Sequence, residues 1–210
     1  MTQRPQLGYF THPSFLAFES SKGVLSSRGG TRLVGVSDDF LRGFVLACEY
    51  EAGDATKTIL RSCGRFYGSR LAARIEAELG TFAGSPLRDR PMAHFEALIM
   101  DLFSGLGMGQ IQIDFSAGRY GILPVSLQNS PMQDMGPKGH VADDLFCGLL
   151  EGFFSCFAGD DIVCIQTGDL RLGSKDGTTF LLAFPDQVKR VSELIASKLS
   201  HAQVVQKFCL

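Results

Sequence analysis

Two apolar, helix-forming segments of this chain each carry a pair of glycines spaced four residues apart. The first pair is Gly64 and Gly68, and the second pair is Gly148 and Gly152. A glycine inside a helix costs up to about 1 kcal/mol relative to alanine. A helix keeps such residues where another backbone must pass close by, and the alternative is a tolerated weak position. Close packing is the interpretation that we prefer for Gly64 and Gly68.

Apolar periodicity divides the rest of the chain into helical and extended segments. Helical spacing predicts helices over residues 37–53, 54–80, 91–107, 141–157 and 186–199, followed by a loose C-terminal tail. Short apolar or alternating runs predict strands over residues 15–18, 32–36, 111–115, 119–127, 162–166 and 178–184. This order of helices and hairpins predicts an α+β fold, with an antiparallel sheet packed against a helical layer.

The charge pattern argues against several classes of partner. The formal net charge is −2, and lysine and arginine are scattered singly rather than gathered into a basic face. We therefore expect no binding to nucleic acid. Residues 1–10 lack the features of a secretory signal, and no apolar run reaches the roughly 18 residues that span a bilayer. We expect a cytoplasmic protein without membrane insertion.

The cysteines do not predict a metal site. They are Cys48, Cys63, Cys147, Cys156, Cys164 and Cys209, and no two form a Cys-x-x-Cys pair. In the cytoplasm these thiols stay reduced. Cys63 stands out because it lies in the apolar stripe predicted for helix 54–80. A buried thiol beside a cavity can meet or bond a ligand, whereas a small core filler is the simpler interpretation.

No motif of a complete active site is present. His94 begins an amphipathic helix and is typical of a solvated first-turn residue. The glycine-rich run 105–109 follows a helix instead of preceding one, so it does not form a phosphate-binding loop. The acidic pairs 143–144 and 160–161 suit a helix start and a turn. We therefore expect no catalytic residue, no metal and no cofactor.

Three stretches of the chain resemble one known family. They are residues 59–72, the glycine run 105–109 leading into an alternating strand, and the helical segment 147–154 with the strand pair that ends at Phe180. Over roughly residues 15–184, their order resembles the 4-vinyl reductase domain superfamily. Its fold is similar to that of TRAPP vesicle-tethering subunits, which hold an acyl chain in a central tunnel.

The resemblance implies a single domain over residues 1–210, with a core at 15–184 and a C-terminal helix and tail at 185–210. It further implies a small apolar ligand of aromatic, acyl or tetrapyrrole type, held between the helices and the sheet, and a homodimer formed through a helical face. The pocket would be lined by Cys63, Phe66, Tyr67, Ile99, Phe103, Leu149 and Phe153. Tyr67 and Arg119 would orient a polar end of the ligand.

The chain departs from the family pattern near its C-terminal end. The family usually has a glutamate, then two cysteines around a glycine, and a closing phenylalanine. Here Gln166 stands near the glutamate position, Asp169 or Leu170 and then Thr178 stand near the cysteine positions, and only Phe180 agrees. If those cysteines serve a metal or redox role in relatives, this chain has lost it.

Three functions stay open at this point. The first is a non-catalytic ligand-binding domain with a regulatory or sensory role; the sensor domains of this family precede an output domain, so a signal here would pass to a separate partner. The second is an enzyme or accessory protein in the reduction of a tetrapyrrole vinyl group. The third is an interaction subunit, in which the broad phenylalanine-rich face of helix 141–157 contacts a partner.

Overall fold

A computed structural model describes residues 8–132, 143–168 and 177–209 of the chain. The helices are α1 (Asp38–Ala52), α2 (Thr56–Ala83), α3 (Met92–Gly105), α4 (Asp144–Ala158), α5 (Pro185–Ala196) and α6 (His201–Phe208). The strands are β1 (Leu16–Glu19), β2 (Val24–Ser27), β3 (Arg32–Leu33), β4 (Gln110–Ile113), β5 (Ile122–Gln128), β6 (Val163–Gly168) and β7 (Thr178–Ala183). The predicted α+β class is confirmed.

The central sheet is antiparallel, with strand order β4-β5-β7-β6. Every residue of β7 is buried, because both faces of the sheet are covered. Phe180 and Leu182 face the main core, whereas Leu181 and Ala183 belong to a second apolar cluster on the opposite face. This alternation is the period of two that a strand imposes on its side chains.

Helices α2 and α4 cross at the four glycines that stand out in the sequence. A methyl group on Gly64 or Gly68 would overlap the backbone of Leu145 or Leu149 on α4. A methyl group on Gly148 or Gly152 would overlap the backbone of α2 in the same way. The predicted close packing at Gly64 and Gly68 is confirmed, and its partner is the second glycine pair.

Helix α2 is longer than predicted. The expected stop at Gly80 is wrong, since the helix continues to Ala83 and ends at Gly84, whose backbone is left-handed (φ 71°). Its expected cap, Asp54, lies in a short 3-10 helix, Gly53–Ala55, that precedes α2. Gly80 remains helical because a glycine inside a helix is only mildly unfavourable.

Helix α4 is the central helix of the molecule. Its nine residues from Phe146 to Phe154 are all buried, and it packs against α2 on one side and against β6 and β7 on the other. A broad apolar face was expected to be buried on more than one side or to face a partner. Burial within the chain accounts for this face, so α4 does not supply the partner surface.

The N-terminal region forms a small antiparallel sheet of its own, in the order β1-β2-β3. Strand β2 was not predicted, and the segment expected as a strand over 32–36 pairs only at Arg32 and Leu33. These strands are too short and too exposed to show clear periodicity.

The C-terminal residues are ordered against the sheet, so the expected loose tail is wrong. Ser200 begins α6 with a reciprocal capping arrangement, in which its hydroxyl accepts from the backbone of Gln203 and the Gln203 side chain accepts from the backbone of Ser200. Val204 and Phe208 are buried in the second apolar cluster together with Val191 of α5. Helices α5 and α6 thus cover the face of the sheet opposite α4.

Candidate ligand-binding cavity

A cavity of about 340 Å³ lies between the start of α3, the end of α4 and strands β5 and β7. We call it the phenylalanine cavity because five phenylalanines line it: Phe95, Phe115, Phe154, Phe157 and Phe184. Leu123, Leu182 and Met92 extend the apolar wall. Small-molecule pockets in proteins range upward from about 300 Å³ and are mostly apolar, so this cavity has the size and lining of a binding site.

The local sequence explains why a space opens here. Pro91 precedes α3, so Phe95 lies close to the beginning of that helix. Phe154 and Phe157 lie near the end of α4, which Gly159 terminates in a left-handed conformation (φ 70°). Since α3 begins and α4 ends at this point, neither helix supplies a further turn of side chains to fill the gap above the sheet.

The ring of Phe95 organises the aromatic wall. Its centroid lies 5.9 Å from that of Phe115, 5.1 Å from that of Phe157 and 6.5 Å from that of Phe154. The first two pairs are nearly perpendicular, at 83° and 84°. Edge-to-face contact is a favoured aromatic geometry, and such a wall offers both ring edges and ring faces to a guest.

The polar groups of the phenylalanine cavity lie at one end. Arg88 and Met92 are exposed there, so this end opens to solvent. Nε of Arg88 donates to Oε1 of Glu76 at 2.5 Å. Nη2 of Arg90 donates to the carbonyl of Ser85 at 3.2 Å. Within the described residues, Nε of Arg90 is buried without a hydrogen-bond acceptor.

A second cavity of about 260 Å³ lies between the N-terminal sheet and helices α2 and α3. It is lined by Tyr67 and Glu78 of α2 among others, and Glu78 accepts from Ser27 Oγ at 3.2 Å. Burial raises the pKa of the Tyr67 phenol, and the charge of Arg74 opposes this rise. Its lining is more polar than that of the phenylalanine cavity, so it is the weaker candidate for an apolar ligand.

Four of the residues predicted to line a pocket are packed in the main core. Ile99, Phe103, Leu149 and Phe153 are each 3% exposed or less. Phe153 packs against two rings of the wall of the phenylalanine cavity, with its ring centroid 5.4 Å from that of Phe154 and 5.2 Å from that of Phe157. The two cavities described above have other residues as their walls, and a direct ligand contact of these four side chains stays a prediction.

The remaining predicted residues are separated from that core group. Phe66 is 70% exposed, and Cys63 is exposed as well. The interpretation of Cys63 as a buried thiol is therefore wrong, and so is its interpretation as a core filler. Tyr67 lines the second cavity, and Arg119 is exposed with its guanidinium 4.7 Å from the ring centroid of Tyr120.

Cys63 is exposed because it lies off the line of residues along which α2 contacts α4 most closely. The buried line runs through Leu60, Gly64, Gly68 and Leu71, because the glycines allow α4 to approach. Cys63 lies one residue away from this line, which is about 100° around a helix. Apolar spacing alone does not separate the two lines.

The sequence predicts the helices that carry Phe95, Phe154 and Phe157, but it does not predict the cavity that these residues share. Phe115 and Phe184 come from a short 3-10 helix and from the residue before α5. No periodic signal links such positions to helices elsewhere in the chain. The chain has 17 phenylalanines, a composition that favours a large core over a cavity and locates neither of them.

An ion pair between the partly exposed Arg61 and the buried Glu151 links α2, α4 and β6. Glu151 accepts from Nε of Arg61 at 3.1 Å and from its Nη2 at 2.5 Å, and it also accepts from the backbone amide of Cys164 at 2.9 Å. Nη2 of Arg61 donates to the Cys164 carbonyl as well. Because these hydrogen bonds join three elements of the fold, the pair has a structural role.

The positions that depart from the family pattern serve packing. Gln166 accepts from the backbone amide of Asp143 at 3.0 Å, and Thr178 is 1% exposed on β7. Asp169 and Leu170 lie outside the described residues. Among the residues that the structure does describe, no group of three or more His, Cys, Asp or Glu side chains is placed to hold a metal ion.

In the part of the chain that the structure describes, no helix is both long enough and apolar enough to cross a bilayer.

No family model matches the chain, and no curated protein sequence matches it. Solved structures do match its fold. The phenol-responsive sensory domain of the transcription activator PoxR, solved with phenol, aligns with a TM-score of 0.63 and 15% identity over 85% of this chain and 90% of that chain. A trafficking protein particle complex subunit 3 from Naegleria fowleri, covalently bound to palmitic acid, aligns with a TM-score of 0.51 and 15% identity over 70% of this chain and 93% of its own.

A vinyl-4-reductase family protein from Methanocaldococcus jannaschii aligns with a TM-score of 0.48 and 15% identity, over 71% of this chain and 82% of that chain. The two structures with TM-scores of 0.63 and 0.51 confirm the resemblance expected from the sequence at the level of the fold. This chain has the fold that a phenol-responsive sensory domain and a trafficking-complex subunit share.

Proposed function

We propose that this chain is a non-catalytic domain that binds a small apolar molecule in the phenylalanine cavity, in a regulatory or sensory role. The observation that carries the proposal is a cavity of about 340 Å³ walled by five phenylalanines and open to solvent at one end. An engineered apolar cavity of about 150 Å³ already binds benzene. The phenylalanine cavity therefore has room for one aromatic ring with a substituent, or for a short alkyl chain.

The fold supports a ligand-binding role by analogy. One protein of this fold is a phenol-responsive sensory domain, and another is bound covalently to palmitic acid. These are properties of those proteins, and fold alone does not carry function from one protein to another. For this chain, the cavity itself supports ligand binding, and the two solved structures add that this fold accommodates apolar guests.

The first test is native mass spectrometry of the purified protein beside its denatured mass. A mass excess that disappears on denaturation identifies a bound small molecule. An excess that survives denaturation indicates a covalent adduct, and the exposed Cys63 would be mapped first. A well-folded sample without an excess is then titrated with phenol and with para-butylbenzyl alcohol by calorimetry, and no heat from either probe would contradict the proposal.

Two sets of variants decide which of the two candidate pockets binds the apolar probe. Leu123 is partly buried and lines the phenylalanine cavity, so Leu123→Trp should fill it and weaken binding of the apolar probe at least tenfold. Phe103→Trp and Leu149→Trp test the pocket predicted from the sequence. If these two variants weaken binding while Leu123→Trp does not, the sequence-predicted pocket is the site and our cavity assignment is wrong.

We further propose that the chain forms a homodimer through α1. Only Val45 of this helix is buried, although Phe40 is 61% exposed, Phe44 is 45% exposed and Tyr50 is 87% exposed. Apolar side chains concentrated on one exposed element mark interaction sites. A second copy of α1 offers the same apolar side chains, as a two-fold interface requires.

Light scattering after size-exclusion chromatography tests the dimer. The wild type should elute as a dimer, and a variant with both Phe40→Glu and Phe44→Glu should be monomeric. Binding of para-butylbenzyl alcohol should survive in that variant, because α1 does not line the phenylalanine cavity. A monomeric wild type at micromolar concentration would contradict the dimer while leaving the ligand proposal intact.

The cellular setting stays a prediction. A cytoplasmic location fits six cysteines that are all free in the structure. A sensory role requires that ligand binding be passed on, and we propose a separate protein as the receiver.

A further inference from the structure

The solvent-exposed end of the phenylalanine cavity, which we call its mouth, carries positively charged side chains. Among the described residues, its lining contains Arg88 and Arg90 and no aspartate, glutamate or lysine. Nε of Arg88 donates to Glu76, which lies outside the described lining. The charge of Arg88 is thus largely compensated by Glu76, whereas the described part of the lining supplies no carboxylate for Arg90.

Arg90 carries a donor that the folded chain leaves unsatisfied. Its Nη2 is bound to the carbonyl of Ser85, but its Nε is buried and has no acceptor among the described residues. Buried polar groups in native proteins are nearly always hydrogen-bonded, so the folded chain leaves this side chain incompletely satisfied. Nε itself is closed to solvent, so a guest in the cavity would approach Arg90 through the part of its side chain that stays accessible at the mouth.

The acceptor that best matches a guanidinium is a carboxylate. Arginine stays charged in proteins and presents planar donors that match two carboxylate oxygens. Hydrogen bonds between two charged partners are shorter and stronger than those between neutral groups. Apart from Arg88 and Arg90, the described lining has no charged or polar side chain, and it includes the rings of Phe95, Phe154 and Phe157.

We propose that the phenylalanine cavity selects small apolar monocarboxylic acids, whose hydrocarbon part lies among the phenylalanine rings and whose carboxylate binds Arg90. This inference rests on the proposed ligand-binding function and specifies its ligand class. No bond is made or broken. Arg90 supplies the recognition of the charged end, and the aromatic wall supplies affinity for the rest.

The test uses two probes with one skeleton, para-butylbenzoate and para-butylbenzyl alcohol, titrated into the protein by calorimetry at neutral pH. They differ only in the polar group, so the ratio of their affinities reports recognition of the carboxylate. We expect wild-type protein to bind the acid at least tenfold more tightly than the alcohol. The variant Arg90→Gln should lose most of this preference and keep its affinity for the alcohol, which also shows that the variant is folded.

Arg88→Gln is the matched control, because Arg88 lines the same mouth but is exposed and paired with Glu76. It should keep most of the preference for the acid. Equal affinity of the wild type for the two probes would overturn the acid selectivity and leave the proposed function standing. A preference that survives in Arg90→Gln would overturn the role of Arg90, and failure of both probes to bind the wild type would overturn the proposed function together with this inference.

Discussion

Gly148 on α4 packs so closely against the backbone of Arg61 on α2 that a methyl group at position 148 would overlap the Arg61 carbonyl oxygen. The same relationship joins Gly152 to Arg65, while Gly64 and Gly68 meet the backbone of α4 in return. The two helices therefore interlock through positions that have no side chain. This crossing fixes the position of α4, and with it Phe154 and Phe157 of the cavity wall.

Gly148→Ala should be destabilising because the clash is with backbone, which cannot rotate away. We expect a loss of about 3 kcal/mol in the free energy of unfolding, at the upper end of typical overpacking costs. Urea denaturation measures it. Gly80→Ala is the matched control in α2, where an added methyl group meets nothing within 4 Å, and it should stabilise the protein by about 0.5–1 kcal/mol. Equal effects of the two substitutions would contradict the close crossing.

The Arg61–Glu151 pair should respond unequally to the loss of each partner. The side chain of Glu151 is 5% exposed, whereas that of Arg61 is 36% exposed. Arg61→Met leaves a buried carboxylate without its counter-charge and should cost about 3 kcal/mol. Glu151→Gln leaves an arginine that can reach water and should cost about 1 kcal/mol. Chemical denaturation compares the two variants, and a larger loss in Glu151→Gln would contradict this account.

Helix α6 should contribute to stability even though it lies at the end of the chain. Phe208 is 4% exposed, and its ring centroid lies 4.5 Å from the guanidinium of Arg190. Phe208→Ala should lower the free energy of unfolding by about 3–5 kcal/mol, as is typical for a buried phenylalanine. The exposed Gln206 gives the control variant Gln206→Ala, which should change stability by less than about 0.5 kcal/mol. Thermal unfolding with no difference between the variants would show that α6 is not packed.

The cysteines should fall into two classes of reactivity. Cys63 and Cys156 are exposed, whereas Cys147 and Cys164 are buried. Burial raises the pKa of the Cys164 thiol well above its ordinary value, and the neighbouring Cys147 and Glu151 raise it further. A thiol reagent applied to native protein should label Cys63 and Cys156 and spare the buried pair until the protein unfolds. Peptide mapping checks this, and rapid native labelling of Cys164 would contradict the fold around β6.

Tyr67 should make stability depend on alkaline pH. Burial raises the pKa of its phenol above the ordinary 10.0, with Arg74 opposing. The folded state therefore keeps the proton at pH values where the unfolded state has released it, so this stability is complete below pH 10.0 and is lost as the pH rises through the folded-state pKa. Tyr67→Phe should lose less stability than the wild type on transfer from neutral to alkaline pH.

The control for that experiment is Tyr50, which is 87% exposed. Urea denaturation at neutral and at alkaline pH compares Tyr67→Phe with Tyr50→Phe and with the wild type. Parallel behaviour of Tyr67→Phe and Tyr50→Phe would mean that the partial burial of Tyr67, which is 37% exposed, does not raise the pKa of its phenol.

The sequence by itself determined the class of the fold and most of its elements. Ser37 and Gly53 bound α1 as predicted, and the residues of β7 are buried on both faces, as a central strand requires. These features follow from local physics, since helix ends and strand alternation depend on residues close together in the chain. The glycine spacing also indicated that a backbone passes close to α2.

Only the tertiary structure decided that the backbone close to α2 is that of α4, which line of residues on α2 is buried, and where the phenylalanine cavity opens. Cys63 and Gly64 differ by one position, and both fit an apolar helical stripe. The contact with α4 selects Gly64 and leaves Cys63 exposed. The phenylalanine cavity combines the beginning of α3, the end of α4 and residues such as Phe115 and Phe184. A cavity is a mismatch of shape between elements distant in sequence, and no period along the chain encodes it.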